Sequence, residues 1–315
     1  MLRTTVIRLA SAAATLLAAS FLIFVALHYS PGSSVAFILG GGENNATPEQ
    51  IALVEAQYGL NDPLLLRYAR WIAHAASGDW GQSYSTREKV LDLVGSRLTT
   101  TLGLVAMSAS FGILTGMALG VLAAVGGVAI GTLITLLTTV VLATPGFVAS
   151  IVLIAVFAVQ LRWFPALGSG EGFWDGLFHL VLPALALGIS TSGVIARITR
   201  VAVEDEMHRE HVQTAVIRGV PTPLILLRHV LRNALIPIVT VAGIIVAALV
   251  AGAVIIEIAF NLNGIGTLLV SAVQQKDMPV VQAVSTVIIG IYLLINLSVD
   301  LLYVAIDPRV RLESR

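Results

Sequence analysis

Apolar residues in this chain fall in long blocks separated by shorter polar stretches. A helix rises about 1.5 Å per residue, so crossing a hydrocarbon core of about 30 Å takes roughly 20 apolar residues. The first block runs from Leu9 to Leu27, behind Arg3 and Arg8. It is long for the apolar region of a signal peptide and reads as an uncleaved anchor. No charged residue occurs between Arg97 and Arg162. That stretch is too long for one span and suits two, with a turn at Gly126-Gly127. Thr144-Pro145-Gly146 should kink or break the second, because proline removes a backbone donor. Further spans are expected at about Leu180 to Ile195, Ala234 to Ile256 and Val280 to Val304. On the span after Arg97, Gly112, Gly116 and Gly120 recur every four residues, a small-residue face suited to close helix contact.

The polar stretches have patterns of their own. Residues 30–97 read as a small helical insertion. Thr47 can cap a helix with Pro48 at its first position and Gln50 closing a capping box, and Gly59 would end it. A second helix should start at Asp62-Pro63, carry Arg67, Tyr68, Arg70 and Trp71, and stop near Gly78. A third, around Arg87 to Arg97, should lead into the membrane. Residues 162–178 and Glu257 to Pro279 read as loops. Between the fourth and fifth spans lies His208 to Pro237, a helix of mixed polarity, then Gly219, Pro221 and Pro223, then a helix re-entering the membrane. Such a short helix either lies among the lipid headgroups or docks into another protein.

Composition sharpens the class. Of 315 residues, 57% are hydrophobic and only 11% charged, under half the share of a soluble domain, so lipid must be the main solvent. Lys+Arg and Asp+Glu are 18 each, which points to no nucleic-acid partner. There are no cysteines, which excludes disulfides, thiolate metal sites and cysteine nucleophiles. With the N-terminus inside and six spans, eleven Lys/Arg fall inside (Arg3, Arg8, Arg197, Arg200, Arg209, Arg218, Arg228, Arg232, Arg309, Arg311, Arg315) and the other seven outside. The turn at Gly126, which this topology puts inside, has no positive residue.

Candidate chemistry is sparse. No G-x-x-x-x-G-K-[ST] loop occurs, so hydrolysis of ATP is not expected of this chain. His208, Glu210 and His211 lie near Glu204 and Glu206, but their spacing is not that of a zinc protease, and a solvated helix face explains them. Glu257 and Asp300 sit near span ends, where carboxylates are less costly than at mid-membrane. Thr135, Thr138, Thr139, Thr144, Ser150, Ser190, Thr191 and Ser192 could line a polar pathway or bond their own helices. No nucleophile–base pair is evident.

Gln213-Thr214-Ala215, Gly219, Arg228-His229, Asn233-Ala234 and Pro237 resemble the cytoplasmic loop shared by permeases of bacterial ABC importers, most closely the dipeptide/oligopeptide/nickel permease family, first of the permease pair. The resemblance covers nearly the whole chain. It includes Ser30-Pro31-Gly32, Thr47-Pro48-Glu49-Gln50, Tyr58-Gly59-Leu60, Arg67-Tyr68, Trp71, Gly78-Asp79, Gly81, Pro145-Gly146-Phe147, Trp163-Phe164-Pro165 and Leu182-Pro183-Ala184. Toward the end it includes Phe260, Gly264, Gly266, Leu268-Leu269, Asp277, Pro279-Val280-Val281 and Asp307-Pro308-Arg309-Val310-Arg311. Gln213 and Val216 depart from the charged residues common at their positions.

The resemblance implies an all-α membrane protein of six transmembrane helices with a small helical periplasmic insertion after the first. Residues 1–29 would be the N-terminal tail and first helix, 30–97 the insertion, and 98–315 a five-helix permease core whose cytoplasmic coupling loop covers about 200–232. Gln213, Thr214, Ala215, Arg218 and Gly219 would meet an ATPase subunit. Arg67, Arg70, Trp71 and Asp277 would receive a binding protein, and Thr138, Thr144, Ser150 and Ser192 would line the pathway. Implied partners are a second permease, two ATPase subunits or domains that bind ATP and Mg, an extracytoplasmic substrate-binding protein, and membrane lipid. No cofactor or metal is expected in this chain. The implied setting is the bacterial inner membrane with both termini cytoplasmic. Short peptides are the implied cargo, with nickel or a metal chelate as the alternative within the family. A proton-driven transporter working through Glu257 or Asp300 is the reading outside it.

Overall fold

The computed structural model describes residues 2–29, Thr47, Glu49, Leu53 and residues 62–306, all helix, turn and loop apart from an isolated bridge between Gln82 and Lys89. The helix start at Pro48 and Gln50, Gly59, the segments Ser30-Pro31-Gly32 and Tyr58-Gly59-Leu60, the Asp300 side chain and the tail from Asp307 lie outside the described residues. Within residues 2–29 and 62–306, ten helices follow in order: α1 (Leu2–His28), α2 (Leu64–Ala76), α3 (Val90–Val125), α4 (Gly127–Ala143), α5 (Gly146–Gln160), α6 (Gly172–Met207), α7 (Glu210–Ile217), α8 (Thr222–Ala259), α9 (Ile265–Gln274) and α10 (Met278–Ile306). Among the described residues five helices are long and apolar enough to cross a membrane. The pair α4–α5, bent by 102° at Thr144-Pro145, supplies a sixth crossing if it counts as one span. The break falls where the sequence places it, because Pro145 is extended (ψ 143°) and cannot continue α4.

The chain divides into two compact units. One holds residues 102–262 and 294–315. In it α6 is the central helix, packed by α3, α4, α5 and α8. The expected glycine face is real: Gly112 meets Thr191 and Gly188, Gly116 meets Ser192 and Ile195, and Gly120 meets Ala196 and Thr199. A Cβ built on any of the three would come within 2.5–2.7 Å of an α6 atom, so the two backbones pack as closely as glycine permits. Gly188 returns the contact against Ser108 and Phe111, and Gly243 of α8 is as tightly closed by Val299 of α10.

The other unit holds residues 2–101 and 263–293. Its core joins Val90, Leu93 and Val94 at the start of α3 with Ile265, Leu268 and Ala272 of α9 and Val280, Val281, Ala283 and Val284 of α10. α2 ends where the sequence places its stop. Gly78 takes φ +88°, and the Asp79 and Gly78 amides reach back to the His74 and Ala75 carbonyls.

Three boundaries differ from the sequence expectation. α6 is one helix from Gly172 to Met207, not a span followed by a separate polar stretch. Its polar ends stay helical because they bond internally at i,i+4: His179 to the Asp175 carbonyl, Arg200 to Glu204 and His208 to the Glu204 carbonyl. The loop from Glu257 to Pro279 contains α9, whose buried Ile265, Leu268 and Ala272 follow a helical repeat, with Thr267 bonding the Gly264 amide at its start. Glu257 itself lies inside the last turn of α8 and is fully buried.

Candidate functional site

The segment between α6 and α8 is the most distinctive surface of the first unit. α6 ends at Met207, Arg209 is extended (ψ 146°), and the chain turns into α7, eight residues long. An isolated helix so short is unstable in water, so packing must hold it. Val212 and Ala215, one turn apart, are buried against Val203 of α6 and Ile225, Val230, Ala234 and Ile238 of α8. The end of α7 is set by its backbone. Gly219 takes φ +72°, the Gly219 amide donates to the Val216 carbonyl at 2.9 Å, and the Val220 amide to the Ala215 carbonyl at 3.1 Å. This double closure needs the left-handed conformation that glycine adopts without penalty. Nothing lies within 4 Å of a Cβ built there, so within this chain the glycine serves the turn and not a close approach. Pro221 and Pro223 then open α8.

Opposite the anchored face, Gln213, Thr214, Val216, Ile217, Arg218 and Gly219 are exposed. Ile217 is 86% exposed and Val216 60%, which makes an apolar tip with Arg218 beside it. Both side chains are β-branched, and both stand at the end of a short surface helix. Of the five residues assigned to the coupling surface, Gln213, Thr214, Arg218 and Gly219 are outward. Ala215 points inward at 7% exposure and anchors the helix to its own chain.

Polar ties brace this segment. The Glu206 carboxylate accepts from Asn233 Nδ2 of α8 at 2.8 Å, lies 3.2 Å from His211 Nε2 of α7, and pairs with Arg209 at 3.8 Å. His208, which the sequence groups with His211 and Glu210, instead turns its ring to the Glu204 carbonyl. Farther along α6, Arg197 donates to Thr139, and Arg200 donates to Thr135 Oγ1 and the Gly131 carbonyl of α4. Sequence reasoning missed the ties to Asn233, Thr139, Thr135 and Gly131, because they join residues tens of positions apart.

The hydroxyls assigned to the pathway bond their own helices. Thr138 donates to the Thr135 carbonyl, Thr144 to Val140, Ser150 to Gly146 and Ser192 to Ile189. Thr138, Ser150 and Ser192 are buried, and Thr144 is half-buried.

The residues assigned to binding-protein docking lie in the second unit, and most face inward. Asp277 is 1% exposed, which corrects its reading as a surface contact. Its Oδ2 accepts from Ser83 Oγ at 2.5 Å, Ser85 Oγ at 2.9 Å and the Ser85 amide at 3.1 Å, latching the 83–85 turn to the α9–α10 junction. Arg67 lies over the Phe24 ring and reaches His28. Trp71 stacks on Tyr68, whose hydroxyl bonds Ser20 and the Leu17 carbonyl of α1. Arg70 remains outward, paired with Asp62.

Among the described residues, helices long and apolar enough to cross a membrane thus accompany a short surface helix with an exposed apolar tip. Residues 116–312 match the family described as binding-protein-dependent transport system inner membrane component, and residues 1–105 match that family's N-terminal region. The chain is 36% identical over 309 residues to the probable peptide ABC transporter permease protein y4tP of Sinorhizobium fredii, covering 96% of this chain and 97% of that one. It is also 36% identical over 312 residues to the glutathione transport system permease protein GsiC of Escherichia coli K12, covering 99% of each. Among solved structures it is similar to the inward-facing MetNI methionine ABC transporter, with TM-score 0.56 and 17% identity over 69% of this chain and 97% of that one. An amino acid ABC transporter matches with TM-score 0.51 and 18% identity, over 69% of this chain and 94% of that one. These two structures speak to the fold. The chain belongs to the family of inner membrane components of binding-protein-dependent transport systems, the permease subunits of ABC transporters, which are not themselves enzymes.

Proposed function

We propose that this chain is the permease subunit of an importer for short peptides, and that α7 is the part through which a separate ATPase drives it. The observation that carries the reading is the two-faced α7, anchored by Val212 and Ala215 and presenting Gln213, Thr214, Val216, Ile217 and Arg218 outward. The peptide and glutathione permeases similar along the whole chain support the cargo. Two ATPase subunits inside bind ATP and Mg, a second permease completes the conduit, and an extracytoplasmic binding protein delivers the peptide. Both chain ends and α7 lie on the cytoplasmic side, as the excess of inside arginines favours. Residues 30–97 and the α9 region then face outward, with Arg70 available to the binding protein. Closing of the ATPase pair moves α7. α6 and α8, which hold α7, carry the motion into the membrane.

The test is ATP hydrolysis by the complete complex in liposomes, with binding protein loaded in turn with dipeptides, longer peptides, nickel and nickel chelates. Stimulation by peptide-loaded protein is expected. Stimulation by metal alone would move the cargo to nickel, and uptake driven by a proton gradient with no ATPase present would overturn the reading.

A further inference from the structure

We infer that Glu206 is a positioning residue that fixes the angle at which α7 meets its partner. The inference rests on the coupling reading of α7 above. Val212, Ala215 and Val220 hold α7 by one narrow apolar stripe and its C-terminal turn. A stripe of small side chains fixes how deep a helix sits but leaves it free to roll and swing. The N-terminal end has no cap from its own residue, since Arg209 at that position makes no side-chain capping bond. Glu206 supplies the missing constraint. Its side chain is only 14% exposed, and its carboxylate touches Asn233 on α8, His211 on α7 and Arg209 at the turn. One group thus joins the end of α6, the start of α7 and the first turns of α8. The Asn233 amide also donates to the His229 carbonyl at 3.3 Å, which orients it toward Glu206. A solvated carboxylate at a helix end would not be sheltered on three sides by three elements. A motion imposed on the exposed tip at Ile217 therefore reaches α6 and α8 as a rigid push and is not absorbed by α7 rolling in place.

The experiment compares Glu206→Ala, Glu206→Gln, Asn233→Ala and the Glu206→Ala/Asn233→Ala double variant in the complete complex. Co-purification of the ATPase subunits reports assembly. The quantity read is the ratio of ATP hydrolysis with peptide-loaded binding protein to hydrolysis without it. Losing bonds to a charged acceptor should lower that ratio about tenfold in Glu206→Ala. Glu206→Gln keeps an acceptor oxygen for Asn233 and should recover most of it, and the double variant should be no worse than the weaker single one. Should Glu206→Ala not assemble, Asn233→Ala, which keeps the carboxylate, carries the same expected loss. An unchanged ratio in Glu206→Ala, equal damage in Glu206→Gln, or additive losses would overturn the inference. A parent complex with no stimulation would overturn the coupling reading itself, so the two failures are distinct.

Discussion

Gly116 on the α3–α6 contact gives a prediction whose size can be worked from distances. A Cβ at this position would lie 2.7 Å from Ile195 Cβ, 2.7 Å from the Ser192 carbonyl oxygen and 2.9 Å from Ile195 Cγ2. These atoms are backbone or the first atoms of a side chain and cannot swing away, so in Gly116→Ala the helices must separate by about 1 Å to restore ordinary contact. If roughly 20 atom pairs line the contact, each worth about 0.1–0.2 kcal/mol, a gap of that size costs about 1 kcal/mol. Residual overpacking adds about 1–2 kcal/mol. The expected loss is about 2–3 kcal/mol, a factor of about 30–150 in the folding equilibrium. Gly290→Ala is the control, since nothing lies within 4 Å of its added Cβ. It should be neutral or gain up to about 1 kcal/mol from helix propensity. Reversible unfolding of both variants in mixed micelles, followed by circular dichroism, reads the difference. Equal stabilities would refute the close approach of α3 and α6 at this point.

Other substitutions probe the rest of the account. Gly219→Val puts a branched side chain at φ +72°, costs about 1–2 kcal/mol locally, and should leave membrane insertion intact while abolishing substrate-stimulated ATP hydrolysis; normal stimulation would sink the turn's role. Ala215→Glu drives a carboxylate into the anchor of α7, so it should lower the yield of folded chain as well as stimulation, and a normal yield would contradict the burial. Asp277→Ala removes the acceptor for three donors and should cost about 3 kcal/mol, seen as faster hydrogen exchange of amides 83–90; unchanged exchange would contradict the latch. Thr135→Val should loosen α4 from Arg200 and cost about 1–2 kcal/mol in the same micelle unfolding assay.

Much of the fold was legible because membrane-crossing helices and their stops depend on local chemistry. The break at Pro145, the turns at Gly78 and Gly219 and the glycine face of α3 each follow from what one residue type can do with its backbone. Turns that use other residues left no such signal. α8 and α9 close with the same backbone pattern as α7, but with Asn261 at φ +49° and Lys276 at φ +52° in the glycine position. α9 was hidden because ten residues of helical repeat are too few to stand out between polar neighbours. The segment around α7 was legible as a motif, but its orientation was not. Which of Ala215 and Ile217 faces outward depends on the packing of α7 against α6 and α8, residues far away in sequence. Asp277 shows the same limit, since its donors at Ser83 and Ser85 lie nearly 200 positions earlier.

The central claim, that the exposed face of α7 meets a separate ATPase, can be tested directly because the chain has no cysteine. A single cysteine at Ile217, modified with a short photoreactive thiol reagent in the complete complex, should cross-link to the ATPase subunit, and a cysteine at Gly290 should not. Cross-linking from position 217 confined to lipid or to this chain, in a complex that retains its ATPase, would contradict the account.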